Sequence, residues 1–274
     1  MYESILKTFK AIQENEKKEV RIVKTFVEQI KNKDFGKNVI LNTGFCHQKP
    51  YAFLVNPVSL FGKSKTELGD LLFVIKYKEN GRIVDYRAMF YQVKHADKNY
   101  FPIELHQFHF YAEISKIVFR FGNTVYKKNK MQTINWNNLS SKDNFGAYLL
   151  LSNNHNYDVS INELAKQYHA KGHNFTFELP KHFYLIDCHI RHLELNKLGD
   201  YLYSFKRENP LLEFIQPFGI GQKVENTYKS FLELIYKKLE MIPDPPEEHE
   251  TYWEDDKQGF GIVDITVKLN KDHD

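Results

Sequence analysis

The stretch from Leu68 to Lys94, LGDLLFVIKYKENGRIVDYRAMFYQVK, constrains this fold more than any other. Leu68 to Tyr77 is apolar on both alternating faces, the pattern of a central strand covered on two sides. Glu79-Asn80-Gly81 holds residues that accept a left-handed backbone, and Ile83 to Lys94 reads as the returning strand. The ends of this hairpin are polar: Glu67 and Asp70 on one strand, Gln92 and Lys94 on the other. They are either ordinary strand caps or one site.

Register decides between these readings, because a slip of one residue turns every side chain to the other face. A two-residue Asn80-Gly81 turn with an unbroken ladder sets Asp70 opposite Tyr91 and leaves Gln92 and Lys94 on the far side. A three-residue loop with Gly81 in the left-handed bulge position sets Asp70 opposite Phe90, and all three polar residues then share a face at one end. A cluster therefore requires the bulged turn or an equivalent bulge elsewhere in the hairpin.

The flanking segments place helices and further strands around the hairpin. From Glu16 to Lys33, Val20, Ile22, Val23, Phe26, Val27 and Ile30 recur with helical spacing. Glu19, and less centrally Glu16, falls on the stripe of Val23, Phe26 and Ile30. Such an acid is either a helix-end charge or a group aimed inward. Val39 to Phe45 and Tyr51 to Val55 read as short strands, Ile103 to Val118 as a helix opened by Pro102, and Ala147 to Leu151 as a buried strand. These elements make a mixed α/β core over residues 1–152. Residues 153–274 read as a C-terminal α+β extension packed on that core, with helices over Ser160 to His169, His189 to Phe205 and Val224 to Leu239. Its strands are expected around Phe175 to Glu178, His182 to Ile186 and Gly261 to Leu269, and Pro243 to Gln258 as an acidic exposed loop.

Charge excludes an overtly basic nucleic-acid binder, since 38 Lys+Arg against 35 Asp+Glu leave a formal charge of only +3. The distribution is less even. Residues 116–130 hold four Lys and one Arg without an acid, namely Lys116, Arg120, Lys127, Lys128 and Lys130, interleaved with Phe119, Phe121 and Tyr126. That run suits either a nucleic-acid backbone or a solvated loop. Only two cysteines, Cys46 and Cys188, rule out a disulfide framework. The first residues carry no signal-peptide run and no stretch has the length of a membrane span, so a cytoplasmic location without a membrane partner is expected.

A carboxylate at a strand edge is a ligand for a hard divalent cation, and Gln92 and the Val93 carbonyl add neutral oxygens. Lys94 points the same way as Gln92 and can balance phosphate charge or orient a water. The set suits phosphodiester hydrolysis.

Asp70, then twenty-one residues, then Gln92-Val93-Lys94, on a hairpin between an acid-bearing helix and a second helix, resembles the PD-(D/E)XK nuclease superfamily. Gln92 in the place of an acid resembles its QxK variants in Mrr-like restriction nucleases, and Glu67-Leu68-Gly69-Asp70-Leu71-Leu72 resembles predicted antiphage nucleases. The resemblance spans about residues 14–152. It implies a restriction-endonuclease-like core and a Mg²⁺ (or Mn²⁺)-dependent endonuclease acting on DNA in bacterial restriction or antiphage defence. A partner subunit of a defence complex or a homo-oligomer fits the same setting. Asp70, Gln92, Val93 and Glu19 would hold the metal, and Lys94 would be the catalytic lysine. Glu16, Glu67 and His95 are supporting or alternative residues. No Pro precedes Asp70, and Gln92 carries one negative charge fewer than the acid it replaces. The competing reading is a non-catalytic nucleic-acid-binding or protein-interaction subunit that keeps this core as a scaffold.

Two further patterns in the sequence carry weaker signals. His169, His173, Cys188, His189 and His192 allow a zinc site to be drawn, but without a paired short-spaced signature among 12 His. Gly219-Ile220-Gly221 lacks the Lys-Ser/Thr of a nucleotide-binding loop and reads as a turn.

Overall fold

A seven-stranded mixed sheet forms the centre of the chain in a computed structural model. It describes residues 1–46, 50–54, 64–96, 100–112, 118–122, 132–135, 145–152, 156–160, 164, 174–178, 210–224, 226–240 and 259–269. In chain order the helices are α1 (Tyr2–Gln13), α2 (Glu19–Ile30), α3 (Leu105–Ala112), α4 (Pro210–Phe214) and α5 (Asn226–Glu240). The strands are β1 (Val39–Cys46), β2 (Tyr51–Leu54), β3 (Lys65–Glu67), β4 (Leu71–Glu79), β5 (Arg82–Ala96), β6 (Tyr100–Glu104), β7 (Val118–Gly122), β8 (Gln132–Asn135), β9 (Gly146–Ser152), β10 (Asn156–Ser160), β11 (Asn174–Glu178), β12 (Gln222–Lys223) and β13 (Phe260–Leu269).

The sheet runs β1-β13-β4-β5-β9-β10, with β12 paired to the other half of β5. β13 lies parallel to β4 and β9 parallel to β5, whereas β4 and β5 are antiparallel. The expected boundary at residue 152 therefore does not divide the sheet, since Phe260–Leu269 sits between β1 and β4. Ile262, Val263 and Ile265 of this strand are buried, and both of its edges are paired.

Helices cover both faces, as the two-sided apolar pattern of β4 requires. On one face Phe9 of α1 and Phe26 and Ile30 of α2 pack on Leu71, Phe73, Ile75, Tyr91 and Leu149. Phe9 and Phe26 stack with ring centroids 3.8 Å apart. Truncating a buried Phe of this kind costs about 3–5 kcal/mol. On the other face Phe110 and Tyr111 of α3 and Tyr228 and Phe231 of α5 pack on Leu72, Val74, Phe90, Tyr148 and Leu150. The result is α/β with a mixed central sheet. Among the described residues no helix is long and apolar enough to cross a membrane.

The hairpin turn is the two-residue form. Asn80 and Gly81 both take positive φ, 50° and 79°, as a tight hairpin turn demands. Glu79 faces Arg82 and Lys78 faces Ile83, but Tyr77 faces Asp85, so Val84 is an extra residue on β5. This bulge resets the parity. From there Leu72 faces Phe90 and Leu71 faces Tyr91. Asp70 stands one residue beyond this ladder with its N–H bonded to the Tyr91 carbonyl, and its charge acts on Tyr111 and Tyr148, on the face of Leu72, Phe90 and Gln92.

Other expectations need correction. The helix expected over Ile103 to Val118 is shorter, because Pro102 and Ile103 belong to β6, which pairs only β11 among the described residues. Proline is tolerated in a two-stranded ladder, where each strand keeps one unpaired edge. Val118 begins a strand, β7, in a separate four-stranded sheet of order β3-β2-β7-β8. Ser160 closes strand β10 and does not open a helix. The segments expected over His182 to Ile186, His189 to Phe205 and Pro243 to Gln258 lie outside the described residues.

Candidate active site at the end of the central hairpin

Asp70 stands one residue before β4, where the chain enters the sheet from β3. Gly69 makes that entry at φ 155°, and a Cβ there would meet the Tyr91 carbonyl at 3.0 Å and the Tyr111 hydroxyl at 3.1 Å. A side chain would push the two strands apart, so a glycine precedes the acid. The Asp70 backbone is then locked on both sides: its N–H donates to the Tyr91 carbonyl at 2.8 Å, and its carbonyl accepts the Gly261 N–H at 2.9 Å. Its carboxylate reaches across and accepts the Val93 N–H at 2.8 Å. Only 2% of Asp70 is exposed.

Gln92 and Lys94 follow on the same face of β5, by the alternation of an extended strand. Gln92 is fully buried, and neither of its amide atoms closes a hydrogen bond. The amide still lies near enough to Tyr111 to lower that phenol's pKa, against the larger effect of burial, which raises it well above the usual value. Val93 turns its side chain to the opposite face, into the α1/α2 core. Its N–H is given to Asp70, and its carbonyl leaves the strand on that same side.

Glu19 joins from the other layer. It opens α2, where an acid is favoured by the helix dipole. Its Oε1 accepts the His95 N–H at 3.1 Å, and its Oε2 lies 3.8 Å from the Lys94 Nζ. Lys94 is 7% exposed, the least enclosed of the three hairpin residues. The structure thus brings Asp70, Gln92, Val93, Lys94 and Glu19 to one end of β4 and β5.

The supporting residues divide. Glu16 sits in the connection between α1 and α2, with its amide bonded to the Ile12 carbonyl, and its side chain forms no hydrogen bond or ion pair with the five. His95 contributes its backbone amide to Glu19, and its ring belongs to the opposite face from Lys94. Glu67 ends β3 and accepts a long hydrogen bond, 3.4 Å, from Gln107 of α3. Arg120 lies in β7, while Lys116, Lys127, Lys128 and Lys130 fall outside the described residues, as do His169, His173, Cys188, His189 and His192.

Three residues the sequence reading did not single out also face this end of the sheet. Gln107 and Tyr111 sit one turn apart on α3, and the Tyr111 hydroxyl donates to the Leu68 carbonyl at 2.7 Å. Tyr148 of β9 is the strand partner of Gln92. Its neighbours in the apolar run Ala147 to Leu151 gave no hint of chemistry; a polar-tipped ring inside such a run is the only signal.

Among the described residues no three His, Cys, Asp or Glu side chains gather to hold a metal. The donor set present is Asp70 and Glu19 with the neutral oxygens of Gln92 and Val93, which fits a hard, oxygen-preferring cation better than zinc. The chain matches no family model, no curated protein and no solved structure.

Proposed function

We propose that this chain is a metal-dependent nuclease that hydrolyses phosphodiester bonds in DNA, with a restriction-endonuclease-like core. One observation carries the reading. The Val84 bulge sets Asp70, Gln92 and Lys94 on one face at one end of a central hairpin, and Glu19 meets Lys94 there from a helix of the opposite layer. Parity alone would have scattered them.

Asp70, Gln92, the Val93 carbonyl and Glu19 would hold Mg²⁺ (or Mn²⁺), which when bound polarises a phosphate and supplies an activated water. The Val93 amide fixes one Asp70 oxygen and so orients the carboxylate. Lys94 offers an ammonium to the charge that grows on the phosphate. Glu19, bonded to the backbone beside it, holds that ammonium at the strand end. The resemblance to restriction and antiphage nucleases suggests bacterial defence as the setting.

The enclosure of Asp70 and Gln92 favours the second reading, a scaffold that binds without cutting. The two separate in a cleavage assay on plasmid and linear DNA with Mg²⁺ or Mn²⁺ and with chelator. The nuclease reading expects metal-dependent cutting that falls at least about 100-fold in Asp70→Ala and in Lys94→Ala. Equal cutting by the variants removes the site; no cutting by the wild type, with binding retained, selects the scaffold.

A further inference from the structure

The register draws a row across the sheet. The Asp70 carboxylate accepts the Val93 N–H next to Gln92, and Gln92 is paired with Tyr148 on the next strand, so the Gln92 and Tyr148 side chains leave the same face at the same height. Adjacent strands are about 4.8 Å apart, which makes Gln92 and Tyr148 side-chain neighbours. Tyr148 is fully buried, and its hydroxyl closes no hydrogen bond. The Gln92 amide is in the same condition.

Burying polar atoms without partners destabilises a fold, and a phenylalanine would pack the same ring without that cost. Tyr111 makes the contrast. Its ring meets that of Tyr148 edge-on with centroids 6.0 Å apart, yet its own hydroxyl is bonded to Leu68. Both phenols lie next to the one amide, and only the Tyr111 hydroxyl is anchored within the fold.

We propose that Tyr148 is a positioning residue of the candidate site: when a cation is bound there, the hydroxyl left open in the metal-free chain donates to Gln92 Oε1 and holds the amide with its nitrogen toward Tyr111 and its oxygen toward Asp70. An amide oxygen has two lone pairs. With one given to Tyr148, the other is presented beside the Asp70 carboxylate to a hard divalent cation. This inference rests on the metal-dependent reading of the site. Burial first, and then the Glu104 and Asp70 carboxylates, raise the Tyr148 pKa well above the usual value, in keeping with a hydroxyl that acts as a donor. It orients and transfers nothing. Partners that orient a metal ligand in this way change metal affinity or activity by about 10- to 100-fold when removed.

The test uses the metal alone. Mn²⁺ binding to the full chain is measured by titration calorimetry for wild type, Tyr148→Phe, Gln92→Met and the double variant, with the thermal midpoint of each protein without metal. The expected result is at least about tenfold weaker Mn²⁺ binding in Tyr148→Phe, with a midpoint unchanged or raised. In the Gln92→Met background the second substitution should add nothing, since Tyr148 acts through Gln92. Equal Mn²⁺ affinity in wild type and Tyr148→Phe overturns the positioning role and leaves the metal site standing. A lowered midpoint with equal affinity assigns the hydroxyl to folding. A wild type that binds no Mn²⁺ overturns the metal reading and this inference together.

Discussion

Strand β5 carries buried polar residues in two clusters, Asp85 and Arg87 near the turn and Gln92 and Lys94 toward the other end, and the two are built in opposite ways. Near the turn, Arg87 is 1% exposed and every part of its guanidinium is engaged. Its Nε donates to both Asp85 oxygens at 3.0 and 2.9 Å, its Nη1 to the Ile220 carbonyl at 2.5 Å and its Nη2 to the Gln216 carbonyl at 2.6 Å. Asp85 in turn accepts the Phe218 N–H at 2.9 Å, and the Tyr77 hydroxyl donates to the Ile215 carbonyl. Burial lowers the Arg87 pKa, and the Asp85 charge opposes that shift. At the other end, Gln92 and Tyr148 hold polar atoms that close no bond in the chain. Where a buried polar group serves to pin a loop, its bonds end inside the protein. The Gln92 and Tyr148 atoms pin no loop, and on the proposed reading they serve the candidate site.

The sharpest way to break that comparison is to unpair the satisfied cluster. Asp85→Ala strands a buried guanidinium, and breaking a buried pair from one side costs about 3–5 kcal/mol. Urea unfolding should show a loss of that size, with loop 215–221 released from the sheet edge. A loss below about 1 kcal/mol would mean that Arg87 is held by the carbonyls alone and that the carboxylate is dispensable.

The open cluster should respond with the opposite sign. Gln92→Met keeps the length of the side chain and removes two buried polar atoms without partners, whose burial costs about 1–3 kcal/mol when nothing satisfies them. Some of the amide's proximity to Tyr111 is lost, so a gain of about 1 kcal/mol is expected in the same unfolding experiment. A clear destabilisation would place Gln92 among the structural polar groups and remove the asymmetry between the two ends.

How much of this was legible beforehand follows from the range of the interactions involved. Helix α2, the hairpin and β13 were readable because periodicity is local: Val23, Phe26 and Ile30 announce one face, and the unbroken run of β4 announces two. The need for a bulge was also readable, since parity is arithmetic on residue numbers. Its place was not. Asn80-Gly81 is compatible with two loop lengths, and nothing in Ile83-Val84-Asp85 marks the middle residue as the extra one. Helix α1 has a local signal of the same kind, the buried stripe of Ile5, Phe9 and Ile12. The insertion of β13 beside β4 joins residues almost two hundred positions apart, and which edge a buried strand chooses is decided by tertiary packing. Tyr148 was invisible for the same reason: its meaning comes from standing next to Gln92, which only the β5–β9 register reveals.

The smallest effect tests whether the satisfied end is scaffold alone. Loop 215–221 holds Phe218 at φ 54°, a left-handed conformation that costs a bulky residue about 1–2 kcal/mol, and leaves the ring 71% exposed. The next residue has to be glycine, because a Cβ at position 219 would lie 1.8 Å from the Glu213 carbonyl oxygen. Phe218→Gly removes the backbone cost and gives up little packing, while the added freedom of glycine in the unfolded chain returns about 0.5–1 kcal/mol of it. The N–H bonded to Asp85 is kept. A net gain of about 0.5 kcal/mol is therefore expected in urea unfolding. A loss of 1 kcal/mol or more would mean that the exposed ring packs in solution against another surface, so that the pinned loop presents a contact as well as closing the sheet edge.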